Sequence, residues 1–396
     1  MEIRQLKQNF VFFFLIVLIL IVFGLGFWFG KSQVVCDVCP PSEVDFSLFW
    51  QTWDKLFEKY VDKDNLDIQK MIYGAISGMV KSLGDPYTVF LEPENAKIFL
   101  EDVKGSFEGV GMEVGIRDGQ LQVISPLEGT PAQKAGLRAG DKILEIDGTS
   151  TVGITVDEAI KGIRGPKGTK VILSIYREDW GETKDIEITR GVIEVPSLLL
   201  EIREDKIAYI HIYQFSERAG YDFSRAAIQI LESPAEKIII DLRNNPGGYL
   251  EVAQDIAGWF LEKDLVVAIE DFGQGKEQEL YKSGGNAKLI SYPVVILINE
   301  GSASGSEILA GALRDLRGIK LIGVDSFGKG SVQQLEELKE GSSLKVTVAK
   351  WLTPNGYSIS DKGLEVDYKV EMTEDDYESG KDPQLDKAIE ILKELN

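Results

Sequence analysis

The stretch Asn299–Gln333, NEGSASGSEILAGALRDLRGIKLIGVDSFGKGSVQ, follows a short continuous apolar run, SYPVVILI, bounded by Pro293. A run of that length and β-branched content reads as a buried strand. Beyond Ser304 the apolar residues Ile308, Leu309, Ala312, Leu313 and Leu316 recur at helical spacing until Gly318 ends them. Ser304 therefore stands where a strand hands over to a helix. The first N–H groups of a helix lack internal partners and its dipole is positive there, so an oxyanion can be held at that point.

A serine nucleophile needs a base. The chain has one histidine, His211 in IAYIHIYQF, which reads as an ordinary strand residue. Lysine and the carboxylates remain as candidate bases. Lys329 stands out because Gly328 and Gly330 flank it, so backbone can approach closely. A lysine acts as a base only when neutral, which requires burial to pull its pKa well below the ordinary ~10.4. Two plainer readings compete. Ser304 and Glu307 have the spacing of a helix capping box. GVDSFGKG approximates a phosphate loop, but Gly330 takes the place of the metal-binding hydroxyl and a strand-like VQQLEEL follows where a helix is required.

Taken together, the order and spacing of these residues resemble the carboxyl-terminal processing peptidases, serine proteases with a Ser-Lys pair and an inserted PDZ domain. Lys329 follows Ser304 by 25 positions and Gln333 follows Lys329 by four, as in that family's pattern. The resemblance implies Ser304 as nucleophile, Lys329 as general base and Gln333 as the residue that orients the lysine. Gly305 departs from the alanine of many members, but only its backbone N–H would be used. The segment DLRNNPGG resembles a second motif of the family, so Gly247 or Gly248 would complete an oxyanion hole with Gly305.

Ahead of this region, SPLEGTPAQKAGLRAGDKILEIDG resembles bacterial PDZ domains, with apolar, glycine and aspartate positions recurring together. The resemblance implies that Gly109, Val110, Gly111 and Met112 form a nest of N–H groups for a peptide's terminal carboxylate. DEAIKGIRGPK reads as a helix ending in a turn, and Arg164 on that turn is the candidate contact between the PDZ and catalytic regions.

Within the 396 residues, 43 basic and 64 acidic side chains give a net charge of -21. That excess argues against nucleic acid or anionic lipid as the partner of the folded part. Between Lys7 and Lys31 no charge intervenes, and NFVFFFLIVLILIVFGLGFWFG is long enough to cross a bilayer. Arg4 and Lys7 precede it and acidic residues follow, which places the amino terminus in the cytoplasm and the bulk outside. No alanine-containing cleavage site lies between Gly24 and Pro40, which favours an uncleaved anchor over a signal peptide. Cys36 and Cys39 are the only cysteines. With one histidine they cannot complete a four-ligand zinc site, leaving a disulfide or idle thiols. No metal or cofactor is expected.

The expected architecture is a multidomain α/β chain: cytoplasmic stub, anchor and linker over 1–42, a helical region over 43–104, a PDZ domain over 105–190 and an α/β protease core with additional strands over 191–396. Phe46, Phe49, Trp50, Trp53, Phe57 and Tyr60 form an aromatic stripe at helical spacing, and the resemblance favours a homodimer through this region. GLEVDYKV reads as a strand, EMTEDDYESGKD as a solvated connection, and Asp382 with Pro383 as the start of a last helix. The expected function is membrane-anchored, extracytoplasmic cleavage of proteins with free carboxyl termini. The alternative is an inactive PDZ-based binding scaffold.

Overall fold

The computed structural model describes residues 13–25 and 44–395, apart from Asp118, Glu128, Glu178, Asp179, Gln274 and Asp361. Two compact units divide at Ile72 and Tyr73. In the first, α1 runs over 13–25 with its apolar side chains exposed, and α2 (Ser47–Lys59) carries the aromatic stripe. Phe49, Trp50, Trp53 and Phe57 contact one another in sequence along that helix, while Leu48 and Trp50 remain exposed. Among the described residues no helix is long and apolar enough to cross a membrane. Much of the charge-free stretch between Lys7 and Lys31, with Cys36 and Cys39, lies outside the described residues.

In the second unit, α3 (Ile68–Lys81, from Tyr73 onward) is followed by β1 (Val89–Leu91) and α4 (Pro93–Lys104). The region read as helical thus contains a strand, and β1 pairs antiparallel with a strand more than 250 residues later, β18 (Ser343–Leu352). Three residues carry no detectable period, so only the distant partner defines them. A two-stranded ribbon of β2 (Ser106–Gly109) and β9 (Gly191–Glu194) then joins the beginning and end of the insert. Between them β3 (Met112–Arg117), β4 (Gln120–Pro126), β5 (Lys142–Ile146), β6 (Thr149–Ser150), β7 (Lys170–Tyr176) and β8 (Thr183–Thr189) form one sheet. Short α5 (Pro131–Lys134) and α6 (Val156–Ile163) pack on it. FEGVGMEVGI, which reads as one strand, is broken between β2 and β3 at Gly111, whose φ is 78°. A Cβ there would lie 2.5 Å from Thr130 Cβ, so glycine is required.

The core sheet has the order β10 (Leu198–Ile202), β11 (Ile207–Ile212), β12 (Lys237–Asp241), β15 (Val294–Ile298), β16 (Lys320–Gly323) and β19 (Tyr368–Lys369), parallel except for β10. Side chains alternate across it. Ile238, Ile240, Val294 and Ile296 join the core formed with α7 (Ala219–Glu232), α8 (Leu250–Ala257) and α9 (Gly305–Arg317). Ile239, Val295, Leu297 and Ile322 meet α11 (Pro383–Glu394) on the opposite face. Burial of both faces is why SYPVVILI is uniformly apolar instead of alternating.

A further sheet joins β1, β18, β13 (Val266–Asp271) and β14 (Glu279–Lys282), with β17 (Ser331–Glu337) on β18. Within GLEVDYKV only Tyr368 and Lys369 pair as strand, because β19 adds to a sheet edge over two residues. The acidic connection holds a short helix, α10 (Glu374–Ser379). Asp382 caps α11 by accepting from Leu385 N–H at 2.9 Å.

Candidate active site

β15 ends at Ile298, and a six-residue turn carries the chain to α9. Its polar atoms are bonded to the neighbouring DLRNNPGG loop. Asn299 Oδ1 accepts from Asn244 N–H at 2.8 Å, and Ser302 Oγ donates to Leu242 O at 2.8 Å. Asn245, wholly buried, accepts from Ala303 N–H at 3.0 Å and from Ser306 Oγ at 3.0 Å through its carbonyl. Its side chain donates to Ile212 O and accepts from Gly247 N–H. The turn and the loop are therefore a single hydrogen-bonded body, as buried polar groups require.

Ser304 closes the turn with φ 54° and ψ −114°, outside the regions that L-residues ordinarily occupy. Strain of this kind persists only where surrounding bonds hold it. Its N–H donates to Glu307 Oε2 at 2.8 Å. Gly305, the first residue of α9, follows at the positive end of the helix dipole. Gly247, at φ 99°, lies so close that a Cβ on it would come within 2.7 Å of Ala303 O and Ser304 Cβ. Gly248, at φ 144°, has no room either, since a Cβ would meet Phe215 O at 2.2 Å.

Lys329 enters from the loop before β17. Gly330 permits this, because a Cβ there would lie 2.3 Å from Ser360 N. The Lys329 ammonium stands 5.9 Å from the Tyr87 ring. Burial lowers its pKa and the neighbouring Lys345 charge lowers it further, against an opposing pull from Glu307. Lys345, above the Phe99 ring at 5.2 Å, is itself lowered by burial. Glu307 is almost completely buried and accepts from Ser326 Oγ and Gly328 N–H, both at 2.7 Å, besides Ser304 N–H. Desolvation outweighs those bonds and raises its pKa. One carboxylate thus ties the serine turn to the lysine loop. The capping-box spacing and the proximity of the two motifs are both real features of this fold.

A cleft of about 620 Å³ brings Ser304, Gly247, Gly248, Lys329, Lys345 and Gln333 together. The Gln333 amide donates to Ser331 O at 3.1 Å and to Ser331 Oγ at 2.5 Å, so its Nε2 faces its own strand. Gly305 begins the helix beneath the cleft. His211 does not line it; its ring lies tilted at 44° against Tyr213 with centroids 4.4 Å apart. Among the described residues no cluster of His, Cys, Asp or Glu is arranged to hold a metal ion.

Gly109, Val110, Gly111 and Met112 run from the end of β2 to the start of β3, which is an edge strand of its sheet. The carbonyls of Val110 and Gly111 are held from inside the domain by the N–H groups of Ala132 and Leu127. Arg164 caps the end of α6. Its guanidinium stacks 4.2 Å from the Phe107 ring and donates to Asp102 Oδ1 at 2.8 Å. Asp102 lies on α4, one wall of the cleft, and its carbonyl accepts from Gln214 Nε2 at 2.9 Å. Glu307 is marked in the sequence only as a capping-box partner of Ser304, Asn245 only as part of DLRNNPGG, and half-buried Lys345 has no distinct mark at all.

Peptidase family S41 matches residues 206–370, the PDZ domain residues 97–176 and the activating protease CtpB N-terminal domain residues 38–95. The chain is 36% identical over 371 residues to the carboxy-terminal processing protease CtpA of Bacillus subtilis, covering 93% of this chain and 78% of that relative. It is also 36% identical over 344 residues to CtpB of the same organism, covering 86% and 70%. Among solved structures, the photosystem II D1 C-terminal processing protease is 29% identical with a TM-score of 0.50, over 83% of this chain and 89% of that one. A putative S41 protease from Bacteroides fragilis, 16% identical, shares the fold with a TM-score of 0.55 over 91% and 100%. The chain belongs to the carboxyl-terminal processing peptidases, serine-type proteases of family S41 that carry a PDZ domain.

Proposed function

We propose that the chain is a membrane-anchored endopeptidase that captures the carboxyl terminus of a protein substrate on its PDZ domain and cuts with a Ser304–Lys329 pair. The observation that carries this reading is the strained Ser304 at the positive end of α9, sharing a cleft with a half-buried lysine whose pKa is lowered. Neutral Lys329 takes the Ser304 proton as Oγ attacks the peptide carbonyl, then returns it to the leaving amine. Water hydrolyses the resulting ester. Gln333 orients the lysine through its amide oxygen. The tetrahedral oxyanion accepts from Gly305 N–H and from the glycine pair. Gly247 N–H is committed to Asn245 Oδ1 at 2.9 Å, which favours Gly248 as the second donor.

The open edge of β3 accepts the substrate tail as an added strand, and Gly109 to Met112 receive its carboxylate. Arg164 relays that occupancy to the cleft through Asp102. The charge-free stretch at the amino terminus, together with the exposed apolar surface of α1, supports a single membrane span with the catalytic part outside the cytoplasm. The exposed aromatics of α2 support a homodimer.

Residues 41–396 are to be incubated with an unfolded protein ending in a free apolar carboxyl terminus, beside Ser304→Ala and Lys329→Ala. The parent is expected to cut it, and each variant to be slower by on the order of 10²–10⁴-fold. If all three are inert while the tail still binds, the chain is a binding scaffold and the peptidase reading fails.

A further inference from the structure

The cleft is lined by two neighbouring lysines, Lys329 and Lys345, and by two glutamates close to Tyr281, Glu270 and Glu251. Glu270, on β13, is 6% exposed. Its Oε2 accepts from Tyr281 OH at 2.8 Å, and among the described residues its carboxylate makes no ion pair. The Tyr281 ring packs edge-on against Trp351 with centroids 5.5 Å apart. Burial and the carboxylates of Glu270, Glu279 and Glu251 raise the pKa of Tyr281, so the phenol stays protonated and keeps donating. Mixed into this region are the apolar side chains of Leu250, Ile308 and Val332.

A carboxylate has about four acceptor positions, and one taken out of water without a cationic partner is unfavourable. The proposed catalytic chemistry makes no use of Glu270, and packing alone does not explain a carboxyl group here. Ligand sites combine apolar walls with a few placed polar groups, and this corner of the cleft has that construction.

We propose that Glu270, held by Tyr281, ends a side-chain subsite that selects a substrate residue with an apolar stem and a cationic, hydrogen-bond-donating tip, of the lysine class, next to the scissile bond. The stem lies along Leu250, Ile308 and Trp351, and its ammonium supplies the donor that Glu270 lacks. Exposed Glu251 adds negative potential at the same end. This rests on the reading of the cleft as the peptide-cutting site and names the residue it prefers there.

The test compares peptides that differ only in lysine against norleucine, an uncharged chain of similar length, at each position flanking the cut. Rates are read with the parent protein, Glu270→Gln and Tyr281→Phe. Binding of the same peptides is read by fluorescence anisotropy with Ser304→Ala, alone and combined with Glu270→Gln. The parent is expected to favour lysine over norleucine in kcat/KM by about tenfold or more at one position. In Glu270→Gln that ratio falls towards one, and in Tyr281→Phe it falls less. A parent ratio near one at every position, or a ratio that survives Glu270→Gln, overturns the proposal. If nothing is cut but lysine peptides bind Ser304→Ala more tightly and lose that preference with Glu270→Gln, the subsite stands and the peptidase reading fails. If no preference appears in binding either, the subsite is refuted.

Discussion

At the scale of single residues, the proposed Ser304–Lys329 chemistry depends on keeping one lysine neutral. Burial is the larger cause of the lowered Lys329 pKa, Lys345 adds to it, and Glu307 opposes it. Lys345 is itself stabilised as a cation by Asp85, whose carboxylate is held by Thr88 Oγ1 at 2.6 Å and Tyr87 N–H at 3.0 Å. In the proposed mechanism Lys329 must be neutral, so activity is expected to rise as pH climbs through its pKa. Lys345→Met removes a repelling charge, raises the Lys329 pKa and moves the acidic limb of the pH–rate profile to higher pH. Each unit of displacement is about tenfold in activity on that limb. An unmoved limb would show that Lys345 does not tune the base. Stability is linked with the same sign. Between its lowered folded pKa and the unfolded ~10.4, the unfolded chain binds more protons at Lys329, so that contribution rises with pH and is lost as pH falls.

At the scale of elements, the DLRNNPGG loop is fixed at both ends. Asn245 bonds it to the serine turn, and Arg243 bonds it to the last helix. The Arg243 guanidinium donates to Asp241 Oδ2 at 2.6 Å and to both carboxylate oxygens of Asp382 at 2.8 and 2.9 Å. Tyr209 OH also donates to Asp241. The Asp241 side chain is 1% exposed and that of Asp382 is 32% exposed, so the two halves of the pair differ in energy. Arg243→Ala strands a buried carboxylate and should lower unfolding free energy by about 3–5 kcal/mol. Asp382→Ala leaves Arg243 with Asp241 but removes the α11 cap along with a partly exposed ion pair, and should lower it by about 2 kcal/mol. Guanidinium unfolding followed by tryptophan fluorescence measures both, and equal losses would contradict this division.

At the scale of the whole molecule, the PDZ insert and the cleft share α4. Arg164 connects that helix to the Gly109–Met112 loop, since a Cβ on Gly109 would lie 3.5 Å from Arg164 Cγ. In the proposed reading, a tail seated on the loop would act on a side chain that already grips the cleft wall. Cleavage of one substrate with a free or an amidated carboxyl terminus should differ severalfold for the parent. In Arg164→Ala the two rates should converge while tail binding persists. Unchanged discrimination in the variant would remove Arg164 from the pathway.

The sequence by itself determined those features carried by local spacing. They include the handover from β15 to α9 at Ser304, the glycines beside Lys329, and the helices over 47–59 and 383–394. Period, caps and glycines are local properties of a chain. Tertiary structure alone decided what distant segments do to one another. It pairs β1 with β18, makes Glu307 a bridge between serine and lysine loops, and places Lys345 beside Lys329. It also closes the cleft around Glu270. Burial depends on which faces meet, and the pKa of a lysine, the strain of a serine and the isolation of a glutamate all follow from burial.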